Sequence, residues 1–166
     1  MKPVRNSPRR VPWLRHQPEA EPDKSGYYKP STCHASSKLA LRGAELILLS
    51  YNTPTHIPEH PELDHLVGFH HQLCLQSGAY QNGCWVVAVA KAGTEEGVSQ
   101  LGLTSIVSPV GQVVAQTTTP GDELIVHDCD LDASRAFRED LLNFAENRKI
   151  EHYSIITQQT DVRPPD

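Results

Sequence analysis

The sequence has no apolar run approaching the roughly 20 residues that a membrane-crossing helix needs, so no membrane partner is expected of it. It has no C-x-x-C pair either, because Cys33, Cys74, Cys84 and Cys129 stand far apart. That spacing offers no zinc-ligand pair and argues against a disulfide framework; it is expected of reduced, buried thiols in a cytoplasmic protein. Residues 1–38 lack apolar periodicity, and six of the 13 prolines fall in the first thirty positions. Such a segment cannot offset its ordering entropy by burial, and it reads as disordered. Its first eighteen residues contain no acid and carry Arg5, Arg9, Arg10 and Arg15. A transit peptide shares that composition, but Pro3, Pro8 and Pro12 break the amphipathic helix one requires. Basic-patch contact with nucleic acid and a plain tail are the other readings of the segment.

Charge is split unevenly. Residues 1–38 hold eight Lys or Arg against three acids, and residues 39–166 hold seven against seventeen. The globular part is therefore acidic, which argues against a nucleic-acid surface there. A chain of 166 residues suffices for one domain.

What is present is concentrated between Ala79 and Asp132. Cys84–Ala90 is almost continuously apolar, as a strand buried on both faces is. Leu101–Val107 reads as a second strand after a polar loop. Ser108-Pro109-Val110-Gly111 reads as a tight turn, with proline setting one corner and glycine supplying positive φ. Gln112–Gln116 returns, Pro120-Gly121-Asp122 turns again, and Glu123–Cys129 reads as a fourth strand. Upstream, Leu39–Gly43 reads as a helix end with Gly43 just past it, leading into a strand at Ala44–Ser50. Tyr51–Pro61 then forms a loop at the carboxyl end of that strand, where α/β sheets commonly place ligand contacts. Asp64–Tyr80 reads as a helix capped by Asp64, with Leu66, Phe69, Leu73 and Tyr80 on its inward face. A second helix is expected over Ala133–Phe144, capped by Asp132, with Phe137 and Leu141 inward. Arg148–Asp166 is a polar, proline-ended tail.

Nine histidines invite a metal reading, but spacing discourages it. His65 and His70 are five residues apart and point about 140° away from each other on a helix. His56 and His60 have a usable separation, yet lie in a loop with prolines. Three other candidates for chemistry each have a plainer alternative. Glu95-Glu96 are adjacent acids in a glycine-flanked loop that can simply face water. Lys91 follows an apolar strand and marks where it emerges. Cys33 has His34 beside it, but sequence neighbours rarely have nucleophile–base geometry.

Four stretches carry a family resemblance: LRGAELILLSYNTPTH at Leu41–His56, SGAYQNGCWVVAVAKAG at Ser77–Gly93, LGLTSIVSPVGQVVA at Leu101–Ala115, and DELIVHDCDLDASRAFRE at Asp122–Glu139. From Leu39 to Ile156 the chain resembles the C-terminal half of the nitrilase superfamily, the carbon–nitrogen hydrolases. YNTPTH, the FHH of Phe69–His71 and the stretch Asn143–Ile156 are most similar to the N-carbamoyl-D-amino acid hydrolases within it.

The resemblance implies an α/β fold, the second half of a four-layer α-β-β-α sandwich that dimerises through its helices. It implies hydrolysis of N-carbamoyl amino acids with no metal or other cofactor, by a cysteine nucleophile, a glutamate that shuttles the proton and a lysine that stabilises the oxyanion. The family's glutamate and lysine motifs have no counterpart here, and its cysteine motif, similar to CNDRRWPE, does not match the sequence around Cys33. No catalytic residue is therefore transferred, and residues 1–38 are read as disordered or translated out of frame. Cys84 matches a strand residue of the family. Asn52 and Thr53 match positions that look like substrate contacts. The expected role is a truncated amidohydrolase-like protein, inactive alone. The alternative is a non-catalytic assembly partner, joined to another copy or to a full-length paralogue through the helical face.

Overall fold

The computed structural model describes residues 32–159, of which 32–35 are described through their backbone alone. The segment 1–31 and residues 160–166 lie outside the described residues, and with them most of the stretch expected to be disordered. Helix α1, Thr32–Leu41, already includes the last residues of that stretch. Its second half is made of strong helix formers, Lys38-Leu-Ala-Leu. Gly43 ends it with φ of 91°, donating its N–H to Ala40 O at 2.9 Å, as expected for a glycine after a helix.

Strand β1, Leu46–Tyr51, runs parallel to β2, Trp85–Ala90, in the register Leu46 opposite Trp85 through Tyr51 opposite Ala90. Between them, a 3₁₀ turn over Pro61–Leu66 leads into α2, Val67–Asn82. A small hairpin follows, β3 (Thr94–Glu95) and β4 (Val98–Ser99). Its corner residues Glu96 and Gly97 both have positive φ, 51° and 82°, the geometry that suits a two-residue hairpin turn. Antiparallel β5 (Ser105–Val107) and β6 (Val113–Gln116) complete a sheet of order β1-β2-β5-β6. The Ser108–Gly111 turn joins them as expected, closed by Gly111 N–H to Ser108 O at 2.9 Å.

Helices α1 and α2 cover one face of this sheet. There Leu75 and Ala79 of α2 pack on Ile47, Val86, Ala88 and Val107, with Leu39, Leu49, Tyr51 and Val113 around them. The chain thus forms one helical layer on one sheet, a mixed α/β unit.

Several expectations are corrected. The buried side of α2 is Val67, His71, Leu75, Gly78, Ala79 and Asn82; Phe69, Leu73 and Tyr80 point outward. Asp64 does not cap α2. Its carboxylate accepts from His56 Nδ1 at 2.7 Å and from the Ile57 N–H at 2.8 Å, which ties down the preceding loop. Only Ser105–Val107 of the second expected strand is strand, because Gly102 and Leu103 take φ of 64° and 61° and interrupt the extended chain.

Glu123–Cys129 joins no ladder among the described residues and is not a strand. The Glu123 carboxylate folds back onto the N–H groups of Thr118 and Thr119, and the Trp85 indole N–H holds Asp130 O at 2.8 Å. Between these anchors Leu124 and Val126 are 87% and 81% exposed.

The last expected helix is broken into α3 (Leu131–Ala136), a π-helical turn over Phe137–Leu141, and α4 (Phe144–Asn147). Asp130 caps α3 by accepting from the Asp132 N–H at 3.0 Å, the role expected of Asp132. Phe137 packs on Tyr80, but Leu141 is exposed. Arg138 donates to Ala40 O, completing the carbonyl end of α1. The tail contributes a 3₁₀ turn (Ile150–His152) and α5 (Ser154–Gln158), both exposed.

Candidate functional site

The parallel pair β1–β2 ends at Tyr51 and Ala90, and both chains leave the sheet on the same edge. Backbone bonds stitch the departing loops together. The Lys91 N–H reaches Tyr51 O at 2.9 Å, Leu101 N–H reaches Thr53 O at 2.8 Å, and Thr55 N–H reaches Ser99 O at 3.0 Å. Pro54 and Gln100 form an isolated antiparallel bridge. The loop carrying Asn52 and Thr53 is thereby fixed on both sides.

The two residues it presents differ. Asn52 is exposed, whereas Thr53 is buried and its Oγ1 has no hydrogen-bond partner among the described residues. Gln100 is buried too, with Oε1 unpartnered. Adjacent residues of an extended ribbon project to opposite sides. With Pro54 opposite Gln100, the Thr53 and Gln100 side chains therefore leave the ribbon on different faces.

Under this edge the half-buried Tyr51 meets the buried His71. Tyr51 Oη is 2.6 Å from His71 Nε2, and the rings are 4.5 Å apart. Burial pushes the His71 pKa down to about 4, so near neutral pH the ring is uncharged and the phenol O–H donates to Nε2. In the sequence His71 stood out only as part of the FHH stretch Phe69–His71. The spacing Val67, His71, Leu75, Ala79 was the signal that puts it under the strand end.

The remaining candidates are less placed for chemistry. Lys91 pairs with Glu95 across the base of the β3–β4 hairpin, and both side chains are more than a third exposed, the setting of a surface ion pair. Glu96 stands at the hairpin tip, exposed. Cys84 is fully buried and burial raises its pKa to about 11; burial also raises that of Cys129. A nucleophilic thiol needs the opposite shift. Cys33 belongs to α1 by its backbone, and its side chain is outside the described set. Among the described residues no three His, Cys, Asp or Glu side chains come together as metal ligands. His56 and His60 instead pair with Asp64 and Glu62.

The site lies on a recognisable family frame. The family model for carbon–nitrogen hydrolases matches residues 34–139, and the chain belongs to that family. Over 114 residues it is 28% identical to a probable nitrilase of Schizosaccharomyces pombe, a match that takes in 69% of this chain and 38% of that one. A carbon–nitrogen hydrolase of Helicobacter pylori superposes with a TM-score of 0.66 at 17% identity, covering 81% of this chain and 47% of that one. A branch 10 member of the nitrilase superfamily from Saccharomyces cerevisiae does so with a TM-score of 0.56 at 21% identity, covering 74% and 42%. The chain spans less than half the length of each of these relatives.

Proposed function

We propose that this chain is the substrate-loop half of a carbamoylase-type carbon–nitrogen hydrolase and turns over no substrate by itself. The observation that carries the reading is the pinned loop at the end of β1. It holds Thr53 with a buried, unpartnered hydroxyl and Asn52 in the open, while the buried thiol Cys84 is held away from the thiolate form. Asn52, in the open on the same pinned loop, offers an amide N–H and a carbonyl oxygen to a polar group such as a carbamoyl or carboxylate. Acyl transfer in this family also needs nucleophile, acid–base and oxyanion groups within reach of one another. Hydrolysis would then require groups that the described residues do not present. Titration with N-carbamoyl-D-phenylalanine, followed by amide NMR, is expected to move the Asn52 and Thr53 resonances in a saturable way. Unmoved resonances at millimolar ligand would overturn the assignment of the loop.

A second reading has its own support. Phe69, Leu73 and Tyr80 leave an apolar stripe on the outer side of α2, which suits a non-catalytic assembly partner of a longer hydrolase of the family. Its test is co-purification of such a protein, lost on Phe69→Gln with Leu73→Gln.

A further inference from the structure

Between Arg42 and Arg135 the sequence has a single lysine or arginine, Lys91. It stands at the edge where β1 and β2 end. The register that sets Tyr51 opposite Ala90 brings Asn52 and Lys91 side by side as the two chains leave the sheet, with backbones about 4.8 Å apart as in neighbouring strands. Tyr51 turns toward α2 to meet His71, so alternation turns Asn52 and Lys91 to the side away from the helices. The backbone of Lys91 is held on both flanks. Its N–H donates to Tyr51 O at 2.9 Å, and its carbonyl accepts from the Gly102 N–H at 3.1 Å. Arg135 lies elsewhere, paired with Glu45 just ahead of β1, at the opposite end of that strand.

We propose that Lys91 binds the carboxylate of an N-carbamoyl amino acid whose carbamoyl group meets Asn52, and that Glu95 occupies the lysine until the ligand arrives. The proposal rests on Asn52 being a substrate contact and adds a second contact to it. An ammonium donates and cannot accept, the complement of a carboxylate, which only accepts. The Asn52 amide does both, the complement of a carbamoyl group. In such a ligand the carbamoyl nitrogen and the carboxylate are attached to the same carbon, a separation that neighbouring strand ends can span.

The pair that holds Lys91 in the free chain is suited to exchange. The side chains of Lys91 and Glu95 are 38% and 57% exposed, so water competes for both, and such pairs contribute little to stability. The hairpin has other bonds to hold its shape. Gln100 N–H closes its base on Gly93 O at 2.8 Å, Thr55 N–H reaches Ser99 O at 3.0 Å, and Thr94 lies opposite Ser99 in its register. A carboxylate tied to a carbamoyl group that bonds Asn52 competes for the lysine at a raised effective concentration. It can therefore displace Glu95 without disturbing the fold.

Amide NMR of the purified full chain tests this, with N-carbamoyl-D-phenylalanine and N-carbamoyl-D-phenylalaninamide as ligands. The second keeps the carbamoyl group and lacks the charge. Wild type is expected to bind the acid about tenfold tighter than the amide, read at Asn52. Lys91→Gln is expected to remove that preference and leave the affinity for the amide unchanged. Glu95→Gln, which frees the lysine, is expected to tighten the acid about threefold and again leave the amide unchanged. Glu96→Gln, the same change of charge one residue on, is expected to do neither. Circular dichroism checks folding; if Lys91→Gln is unfolded, the contrast between Glu95→Gln and Glu96→Gln decides. Equal affinity of wild type for acid and amide overturns the Lys91 assignment and leaves Asn52 as a contact. So does a loss on Lys91→Gln that is the same for both ligands, or a Glu95→Gln variant that behaves as Glu96→Gln does. A wild type that binds neither ligand overturns the loop reading and this proposal with it.

Discussion

Thr53 holds a hydroxyl that burial has stripped of water and that no described group bonds. An unsatisfied polar group of this kind costs about 1–3 kcal/mol. Thr53→Val, nearly the same shape, is expected to stabilise the chain by about 1 kcal/mol in urea unfolding. A destabilised variant would mean that the hydroxyl is already satisfied. His71 makes a pH prediction. Its pKa is lowered to about 4 by burial, against about 6.5 in an unfolded chain. Between those values the unfolded state binds more protons, so stability is full above pH 6.5 and falls as pH drops toward 4. His71→Gln is expected to flatten the stability profile over that window, measured by urea midpoints at a series of pH values. An unchanged slope would place the titration elsewhere.

At the scale of elements, α2 shows where sequence and structure part. Its existence, its end within two residues of Tyr80 and the strand that follows were all legible from periodicity and turn chemistry. Its buried side was not. Two stripes at helical spacing compete, one of large residues (Leu66, Phe69, Leu73, Tyr80) and one of smaller ones (Val67, His71, Leu75, Ala79). Hydrophobicity favours the first. Close packing selects the second: Ala79 sits on the sheet, and Gly78 faces α1, where a Cβ would lie 3.8 Å from Ser36 Oγ. Leu75→Ala is therefore expected to cost about 2–5 kcal/mol, and Leu73→Ala to stay within about 0.5 kcal/mol, by urea denaturation. Equal losses at both positions would contradict the packing described. Gly83 closes the helix under a second constraint. Its φ is 55°, and a Cβ there would lie 2.6 Å from Arg138 Cγ and 3.1 Å from Phe137 Cδ1. Gly83→Ala is expected to lose at least about 1 kcal/mol, again read from the urea midpoint, and to loosen the contact between α2 and the π-helical turn. Glu123–Cys129 illustrates the opposite limit. An alternating apolar run specifies a strand only where a neighbouring strand exists to receive its hydrogen bonds.

For the molecule as a whole, the resemblance carried by Leu41–His56 and Ser77–Gly93 located the loop of interest, because strand ends on a parallel pair are fixed by the sheet itself. The tertiary partners of that loop were hidden. Gln100 bridges to Pro54 across 46 positions of sequence, and nothing local marks it. His71 reaches Tyr51 only because α2 packs with its smaller stripe inward. The family frame sets the scale of what this chain can do. It spans less than half of its relatives, and the proposed hydrolysis depends on groups it does not present among its described residues. The most direct test is ammonia release from N-carbamoyl-D-phenylalanine by the purified chain, against a heat-killed control. The account predicts no release above that control. Turnover that survives repurification and is lost on heating would contradict it, and would place a working nucleophile within this chain.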